Sequence, residues 1–504
     1  MYTESLVVDM KKEKKELYEY QKKGMDKIFD YLEEAPNDQN LLYQLPTGGG
    51  KTVIFSEITR RYIANTQKKV LILTHRIELC HQTSKMLGDF EVKNKIINSQ
   101  VKELPDQNEF MCFVAMVETL NNRLQDDKIK LDDIGMVIID EAHYNSFRKL
   151  FHHFENCTIL GVTATPLSSN IKLPMYENYH ELIVGESIPY LVKNGYLSKA
   201  ETFCYDVGLT SLKIGANGDY TVKSSELLYG DFPMQQKLLR AYEEKSQGKK
   251  TLIFNNGINT SLNVHDTFTK AGYEIKHLDN THTAAERKEI LQWFKQKKDA
   301  ILTSVGILTT GFDEPTVESI ILNRATKSLT LYFQMIGRGS RLLPNKKLFT
   351  IIDLGNNVAR FGPWNSELDW YEIFRTPEHY LQNVMLDEEI ERNFKYVMPE
   401  EVRARFAHTK NIEFDVEEEY KQVMRESLRP RFVLERSIAQ HAQMCIENSE
   451  DVMEARSLVA LLSDDIRYRI RLFSYCICKS TDSYLKWLKE DYERKLNLKI
   501  TQDY

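Results

Sequence analysis

The feature that most constrains the fold of this 504-residue chain is a glycine-rich loop, Leu45–Thr52. It follows a short apolar run, Leu41–Leu45, and precedes a helical pattern that extends from Val53 to Ala64. A strand, a glycine loop and a helix start in this order let backbone N–H groups turn onto an anion. The alternative is an ordinary glycine turn. The residues expected to hold phosphate are Thr47, Gly48, Gly49, Gly50 and Lys51, with Thr52 expected to hold Mg²⁺ through its hydroxyl.

A second strand pattern ends in a pair of carboxylates. The apolar run Met136–Ile139 is typical of a buried parallel strand, and Asp140 and Glu141 follow it directly. Open α/β sheets bind their ligands at the carboxyl ends of strands. We therefore expect Asp140 to hold the Mg²⁺ and Glu141 to orient and deprotonate an attacking water. The alternative interpretation is a solvated acidic helix start, with Asp140 as its N-cap.

The second half of the chain carries a segment with two arginines, Gln334–Arg341. Arg338 and Arg341 are three residues apart, which predicts that they share one face of a helix. The second half has no phosphate loop of its own, so these guanidiniums are expected to reach phosphates that the first half binds. The alternative is a surface helix with two solvated arginines.

A predicted strand-to-loop turn, Ile307–Asp313, lies upstream of that segment. Gly311 allows a close backbone approach there. Thr309 is expected to donate to a nucleic-acid phosphate, and Asp313 is expected to contact ribose or an arginine.

Apolar runs alternate with helical patterns in two stretches, which favours parallel sheets with helices on both faces. The residues after Gly355 are rich in Glu, Arg, Tyr and Leu, and Ser457–Phe473 and Ser483–Leu496 are typical of helices. The predicted domains are 1–180, 181–358 (a linker and the second sheet) and a helical accessory domain at 359–504. The ten predicted strands are Leu41–Leu45, Val70–Leu73, Phe110–Ala115, Met136–Ile139, Thr158–Val162, Thr251–Phe254, Ile275–Leu278, Ala300–Thr303, Val317–Leu322 and Phe349–Ile352.

Composition excludes some classes of protein and leaves others open. The chain is 42% hydrophobic and 28% charged, and no segment approaches eighteen apolar residues, so we expect no membrane span. The net charge of −6 means that a surface for nucleic acid must be a local patch. Seven cysteines without a Cys-x-x-Cys pair argue against a zinc knuckle and favour a reducing, cytoplasmic location.

The order of these motifs resembles that of superfamily two helicases. The resemblance covers roughly residues 17–356. The segments that carry it are Tyr20-Gln21, Gly48–Thr52, Thr74-His75-Arg76, Val117–Leu120, Asp140-Glu141-Ala142-His143, Val162–Pro166, Leu252–Phe254, Thr309–Asp313 and Gln334–Arg341.

The resemblance implies two tandem RecA-like domains that clamp one ATP·Mg²⁺ between them. Gln21 would then read adenine, and Gln334 would position water together with Glu141. Arg338 and Arg341 would stabilise charge on the transferred phosphoryl group. By the same resemblance, His143, Thr163 and Thr165 would couple the nucleotide state to the strand-binding surface. Single-stranded or forked nucleic acid would meet Arg76, Thr119 and Thr309.

Within the superfamily, the stretch Leu308–Asn356 looks most like RadD-type DNA helicases and the motor subunits of type III restriction enzymes. This likeness favours DNA over RNA. The cysteine-rich, zinc-binding region of RadD-type proteins has no counterpart here, so no zinc is expected. Two alternatives stay open. One is an RNA helicase of the same fold, and the other is a nucleotide-gated subunit of a nuclease or defence complex that binds a protein partner through residues 359–504.

Overall fold

A computed structural model describes residues 16–34, 39–98, 109–126, 131–392, 396–477 and 482–504. The chain divides into a first unit that ends at Leu386 and a second unit from Asp387 to Tyr504. Within the described ranges, no helix combines the length and the apolar character that crossing a bilayer requires.

The first lobe of the first unit is a parallel sheet whose strand order is β3-β4-β2-β5-β6-β1-β7. Its interior strands β1 and β2 are buried along their whole length, and β6 is buried except at its first residue, as expected for a sheet with helices on both faces. The strands are β1 Leu41–Gln44, β2 Lys69–Thr74, β3 Asn94–Ile97, β4 Cys112–Met116, β5 Ile134–Asp140, β6 Thr158–Thr163 and β7 Glu181–Val184. The helices are α1 Glu19–Glu34, α2 Lys51–Thr66, α3 Ile77–Asp89 and α4 Val117–Gln125, with 3₁₀ segments at Asn145–His153 and Met175–Glu177.

The second lobe is a second parallel sheet with the strand order β10-β11-β9-β12-β13-β8. Helix α5, Ile188–Lys193, lies in the connection between the lobes. The strands are β8 Lys199–Cys204, β9 Thr251–Asn255, β10 Ile275–Leu278, β11 Ile301–Val305, β12 Ser319–Asn323 and β13 Leu348–Asp353. The helices are α6 Val222–Tyr229, α7 Phe232–Ser246, α8 Ile258–Lys270, α9 Ala284–Gln296 and α10 Leu329–Ile336.

Three short helices close the first unit, and the second of them contacts both lobes. They are α11 Asn357–Phe361, α12 Trp370–Arg375 and α13 Pro377–Gln382. The Trp370 ring packs on Phe333 of α10 at 5.9 Å between centroids, and Arg375 Nη2 donates to the carbonyl oxygen of His180 in the first lobe at 2.9 Å.

The second unit is helical over its described residues and has its own apolar core, which includes Phe406, Val433, Ile466 and Leu496. Its helices are α14 Asp387–Arg392, α15 Glu400–Arg405, α16 Val416–Arg425, α17 Phe432–Glu447, α18 Val452–Leu458, α19 Ser463–Cys476 and α20 Asp482–Asp503, with a 3₁₀ segment at Val459–Leu462. The predicted fold class, α/β with two tandem parallel sheets and a helical C-terminal region, is confirmed.

The predicted domain bounds and the observed elements differ in two places. Strand β7 pairs with β1 of the first sheet, although it begins one residue after the predicted bound at 180. Residues 359–386 belong to the first unit, whereas the sequence pattern places them in the accessory domain. Three strands, β3, β7 and β8, were not predicted. They lie at or next to sheet edges, where partly exposed residues interrupt the apolar pattern.

Candidate functional site

The glycine-rich loop follows β1 and leads directly into α2, as predicted. Gly48 and Gly50 have φ angles of 92° and 84°, a left-handed region that suits glycine. Gly50 is the N-cap of α2, and no side chain caps the helix there. The start of α2 therefore presents backbone N–H groups and the positive end of a helix dipole, which together favour an anion.

The first turn of α1 braces this loop from behind. The Tyr20 hydroxyl donates to the carbonyl oxygen of Gly49 at 2.8 Å, and Gln21 Nε2 lies 3.3 Å from the same oxygen. Gln21 Oε1 accepts from the Tyr18 backbone N–H at 3.0 Å. Gln21 thus fixes the loop, and its predicted contact with adenine stays a prediction.

Lys51 and the two carboxylates meet at the carboxyl ends of β1 and β5. Lys51 Nζ lies 3.4 Å from the carbonyl oxygen of Leu45. Burial lowers the pKa of Lys51, against the opposing effect of Glu141 and Asp140. Burial and the neighbouring Glu141 raise the pKa of Asp140 to about 7. Burial opposes ionisation of Glu141, but the neighbouring positive charges, Lys51 first among them, outweigh it, so the pKa of Glu141 is lowered and it stays a carboxylate.

Glu141 combines two features that are typical of a functional position. Its φ of 56° is in the left-handed region, which costs a non-glycine residue roughly 1 kcal/mol or more. Its Oε2 atom is buried and has no hydrogen-bond partner. The nearest base, His143 Nδ1, is 3.4 Å away but makes a shorter contact of 3.0 Å with Thr163 Oγ1. One carboxylate oxygen is therefore available to a ligand.

A chain of hydrogen bonds connects two residues of α10 in the second lobe through three residues of the first lobe. Gln334 Nε2 of α10 makes a long contact, 3.5 Å, with His143 Nε2. Burial lowers the pKa of His143 to about 4, so the ring is neutral and its Nδ1–H can donate to Thr163 Oγ1. The Thr163 hydroxyl donates to the Thr165 carbonyl at 2.9 Å, and Thr165 Oγ1 donates to Thr330 Oγ1 of α10 at 2.9 Å.

The structure brings both arginines of the second lobe to the cleft, but not on a helix. The prediction of one shared helix face is wrong, because α10 ends at Ile336 and both arginines follow it. Gly337 and Gly339 interrupt the helix, and Gly339 allows close approach to Phe349. Arg341 then pairs with Leu197 in a β-bridge.

Arg341 reaches across the cleft to the glycine loop. Its Nη1 donates to the carbonyl oxygen of Gly48 at 2.9 Å, and its Nε donates to Asp313 Oδ1 at 3.0 Å. Arg338 lies deeper, where Nη2 donates to the carbonyl oxygen of Thr309 at 2.6 Å and Nε has no partner. Burial lowers the pKa of Arg338 to about 10, against the opposing effect of Glu141, so it keeps its charge at neutral pH.

The two lobes approach closely at Gly337. A Cβ atom at this position would overlap the Thr47 side chain, with Thr47 Cβ only 2.6 Å away. On the loop side, a Cβ atom on Gly48 would lie 2.9 Å from Ser340 Oγ. Contact between the lobes at the glycine loop therefore depends on the absence of side chains on both sides.

The residues predicted to meet nucleic acid make protein contacts in this structure. Arg76 Nη1 donates to the carbonyl oxygen of Ile307 at 3.0 Å, which joins the lobes. The Thr309 hydroxyl donates to the carbonyl oxygen of Gly306 at 3.0 Å, and Thr309 is buried. Thr119 is half-buried in the first turn of α4. Gly311, with φ 74°, faces the Leu79 side chain across the cleft. A nucleic-acid role for this set stays a prediction.

The cleft contains several buried polar atoms without a hydrogen-bond partner. Besides Glu141 Oε2 and Arg338 Nε, these are Thr47 Oγ1 and both ring nitrogens of His75. Burial lowers the pKa of His75 to about 4, so its ring is neutral. Such groups cost free energy unless a ligand or water satisfies them, so their clustering marks a binding site. An anion donor set around Lys51, with carboxylates opposite, fits a nucleotide and Mg²⁺.

Sequence reasoning missed three participants in this cleft. Thr330 has a detectable signal, because it precedes Gln334 by four residues and so shares its helix face. His75 and Tyr144 adjoin predicted residues. The Tyr144 ring lies 4.2 Å from the His75 ring and 4.3 Å from the His143 ring, between centroids. No spacing rule foretells such stacking between separate loops.

Two family models match the parts of the chain that build this cleft. The model described as type III restriction enzyme, res subunit, matches residues 14–168. The helicase conserved C-terminal domain matches residues 233–342. Its two lobes are ATP-dependent motor domains of the superfamily two helicase type. Domains of this type generally use ATP with Mg²⁺. The predicted resemblance to this superfamily and to restriction-enzyme motors is confirmed, and the RadD-type likeness stays a prediction.

Two curated relatives illustrate the range of this similarity. IRC3 of Saccharomyces cerevisiae, assigned as an ATP-dependent helicase, is 29% identical to this chain over 357 residues. These residues are 67% of this chain and 51% of IRC3. The endonuclease subunit of the type I restriction enzyme EcoAI from Escherichia coli is 22% identical over 383 residues, 68% of this chain and 46% of that subunit. The chain spans about half the length of these relatives.

Two solved structures indicate the fold. A fragment assigned as an HsdR subunit of a type I restriction enzyme from Vibrio vulnificus has a TM-score of 0.54 at 20% identity, over 68% of this chain and 65% of that one. The type ISP restriction-modification enzyme LlaBIII, bound to DNA, has a TM-score of 0.52 at 14% identity, over 98% of this chain and 42% of that one. At these identities the likeness concerns the fold alone, two tandem RecA-like domains with a helical C-terminal region.

Proposed function

We propose that this protein is a DNA-stimulated ATPase that moves along one strand of DNA and acts as a helicase or translocase. The observation that carries the proposal is the contact between Arg341 Nη1 of the second lobe and the Gly48 carbonyl of the first lobe, at 2.9 Å. It puts a guanidinium at a phosphate-type loop only when the lobes are together. An arginine supplied in this way makes hydrolysis depend on closure.

The first lobe supplies the groups that hold the nucleotide. The loop Thr47–Gly50 and the start of α2 present N–H groups to phosphate oxygens, and Lys51 adds a positive charge. Thr52 and Asp140 would hold Mg²⁺, which would supply positive charge to neutralise the charge that develops on the phosphates. Gln21 keeps the loop in shape and is our candidate for the adenine contact.

Glu141 is our candidate for the base that accepts the proton of the attacking water. It is a buried carboxylate with one free oxygen, and its lowered pKa keeps it ionised at neutral pH. Gln334 would orient that water from the second lobe. Arg338 and Arg341 would stabilise the charge that develops on the transferred phosphoryl group, and Asp313 holds Arg341 in position through its 3.0 Å contact.

The hydrogen-bond chain from Gln334 to Thr330 is our candidate for the coupling device. His143, Thr163 and Thr165 of the first lobe join two residues of the same helix in the second lobe. A change at the nucleotide that moves His143 or Gln334 therefore also changes the contact at Thr165. Such a chain transmits closure of the cleft to the rest of the sheet.

Nucleic acid would contact the backbone-binding set Arg76, Thr119 and Thr309 through its phosphates. Arg76 is half-exposed and bonded to loop carbonyls, so a phosphate would have to replace those acceptors. The restriction-enzyme relatives and the DNA-bound LlaBIII favour DNA as the substrate. RNA stays an alternative because phosphate contacts do not distinguish the two.

A second candidate is a translocating subunit of a nuclease or defence complex that does not displace strands. The alignment with LlaBIII favours it, because that alignment covers 98% of this chain, beyond the two lobes alone. In this case the second unit would bind a protein partner.

The test is an ATPase assay of the full chain on single-stranded DNA, duplex DNA, forked DNA and RNA at matched salt. We expect single-stranded DNA to stimulate turnover most, and Lys51→Ala to remove the stimulated turnover while far-UV circular dichroism stays unchanged. Lys270→Ala, an exposed lysine in the last turn of α8, is the matched control. Triplex displacement without fork unwinding would select the second candidate, and nucleic-acid-independent turnover would refute both.

A further inference from the structure

A second group of potential ligands lies in the second lobe, outside the nucleotide cleft. The sequence His277-Leu-Asp279-Asn-Thr-His282 runs from the end of β10 to the residue before Thr283, the N-cap of α9. One ligand atom each from His277, Asp279 and His282 lie within 4.8 Å of one another. Neither the proposed ATPase chemistry nor the backbone-binding set Arg76, Thr119 and Thr309 uses these residues.

The spacing of the three groups suits a small divalent cation. His277 Nε2 lies 3.1 Å from Asp279 Oδ2, and His282 Nδ1 lies 3.0 Å from Asp279 Oδ1. Ligand atoms bound tetrahedrally at about 2.0–2.1 Å from Zn²⁺ are separated by roughly 3.3 Å. The carboxylate lies between the two imidazoles, so small side-chain rotations would let all three groups face one ion.

His282 Nδ1 faces two groups of Asp279. It lies 3.0 Å from the Oδ1 atom and 3.3 Å from the backbone nitrogen. Oδ1 also accepts from the N–H and hydroxyl of Thr281, at 2.8 and 2.7 Å. A neutral ring that carries its proton on Nε2 would present the Nδ1 lone pair beside the carboxylate, and a cation could then bind both groups.

A second layer of hydroxyls orients the His277 ring. Its Nδ1 lies 2.8 Å from Ser261 Oγ, which in turn lies 2.8 Å from Thr303 Oγ1. Hydroxyls can donate or accept, so this chain can take an Nδ1–H and leave Nε2 as a ligand. Metal-binding histidines are usually held in this way by the nitrogen that does not bind the metal.

The cluster is accessible from solvent through a cavity of about 440 Å³. His277 and His282 line it together with His265 and Glu286. The Asp279 carboxylate is buried, whereas His282 is about a quarter exposed. An ion can therefore enter from solvent, and water can complete its coordination.

We propose that His277, Asp279 and His282 bind one Zn²⁺ ion. Two imidazoles and a carboxylate favour zinc over magnesium and calcium, which prefer oxygen ligands. The ion would fasten the end of β10 to the start of α9 and so stabilise the second lobe. The missing Cys-x-x-Cys pairs argue against a zinc knuckle and do not bear on a site of this kind.

The test is titration of the full, chelator-treated chain with ZnCl₂ by isothermal titration calorimetry, with MgCl₂ in parallel. We expect one equivalent of Zn²⁺ to bind the unaltered chain and to raise its melting temperature. Asp279→Asn and His282→Gln should each weaken the site by at least about 100-fold, and Ser261→Ala by about tenfold, the range for second-layer partners.

The matched control is His379→Gln. His379 is an exposed histidine whose Nδ1 lies 2.7 Å from Glu372 Oε1, while its Nε2 contacts an amide, Asn383 Nδ2. This variant should bind Zn²⁺ like the unaltered chain. All variants should keep DNA-stimulated ATPase activity, which would verify that they fold. Equal zinc affinity in all variants, or no binding at micromolar Zn²⁺ by the unaltered chain, would overturn the proposal.

Discussion

The cleft of the first unit and the core of the second unit both bury charged side chains, but they satisfy them to different degrees. In the cleft, Glu141 Oε2 and Arg338 Nε are buried without partners. In the second unit, Asp465 and Arg469 are equally buried, and the described contacts satisfy both. The unsatisfied polar atoms indicate a ligand-binding site in the cleft, whereas the satisfied ones indicate a structural network in the second unit.

In the network of the second unit around Asp465 and Arg469, each hydrogen-bond donor has an acceptor. Arg469 uses its donors on Asp465, Ser437, Gln440 and the carbonyl of Ile412. His441 Nε2 lies 3.0 Å from Asp465 Oδ2, and its Nδ1 lies 2.9 Å from the Tyr492 hydroxyl, so a neutral ring can donate to one and accept from the other. This network joins α17, α19 and α20. Its worth to the protein is structural, whereas the unsatisfied groups of the cleft cost stability until a ligand binds.

Removal of the cleft arginine is expected to have the largest effect. Arg341→Ala should lower DNA-stimulated kcat by about 10³-fold or more, because an arginine finger typically contributes that much. Its effect on the KM for ATP should be smaller, and the melting temperature should change little because the side chain is partly exposed. Steady-state ATPase kinetics measure the split.

Arg375→Ala is the control for this change. Arg375 is an exposed arginine of the same unit, and its contacts are with His180 and Glu181 rather than the glycine loop. A loss of thermal stability in Arg341→Ala, without a selective loss of kcat, would show that Arg341 has a structural role like the charges of the second unit.

The second unit should respond in stability and not in turnover. Asp465→Asn leaves the Arg469 cation buried without its counter-ion, which should cost about 3–5 kcal/mol in that unit. The double variant Asp465→Leu/Arg469→Met, which removes both charges, should recover much of this loss. Hydrogen exchange of α17 and α19 reports the unit directly. Equal losses in the single and double variants would mean that the charge pair is not what stabilises the core.

Acid should weaken the second unit by a somewhat smaller amount. Burial lowers the pKa of His441 to about 4, against 6.5 for an exposed histidine. Between these values the unfolded state binds more protons, so stability falls as pH falls from 6.5 to 4, by about 3 kcal/mol in all. Asp465, whose pKa is also lowered, acts in the same direction at lower pH.

Urea unfolding at pH 7, 5.5 and 4, followed by hydrogen exchange in α17, measures this dependence. His441→Gln keeps a donor and an acceptor but cannot titrate, so its stability should depend less on pH. The same pH dependence in both proteins would show that other groups carry it.

The sequence predicted the frame of the first unit well because its signals are local. Uninterrupted apolar runs such as Val70–Leu73 and Met136–Ile139 become central strands, where burial on both faces requires apolar side chains. The edge strand β8 consists of exposed and half-buried residues, so its sequence pattern resembles that of a loop. The glycines of the loop, and the carboxylates Asp140 and Glu141 at the end of β5, are predicted from their spacing alone.

The contacts between lobes could not be predicted in this way. Arg341 meets Gly48 across 293 positions of sequence, and Thr165 meets Thr330 across 165. Such pairs depend on how two sheets are set against each other, and no periodicity reports that. The same holds in the second unit for Arg469, which sequence alone would describe as one more charge on a helix.

The overlap that a methyl group at Gly337 would make with Thr47 has a consequence for how the motor tolerates change. Alanine is tolerated in most turns, but at this position its methyl group would clash with Thr47 and keep the two lobes apart. We expect the Gly337→Ala chain to fold and to bind nucleotide through its first lobe. It should hydrolyse ATP poorly, because the cleft could not close completely.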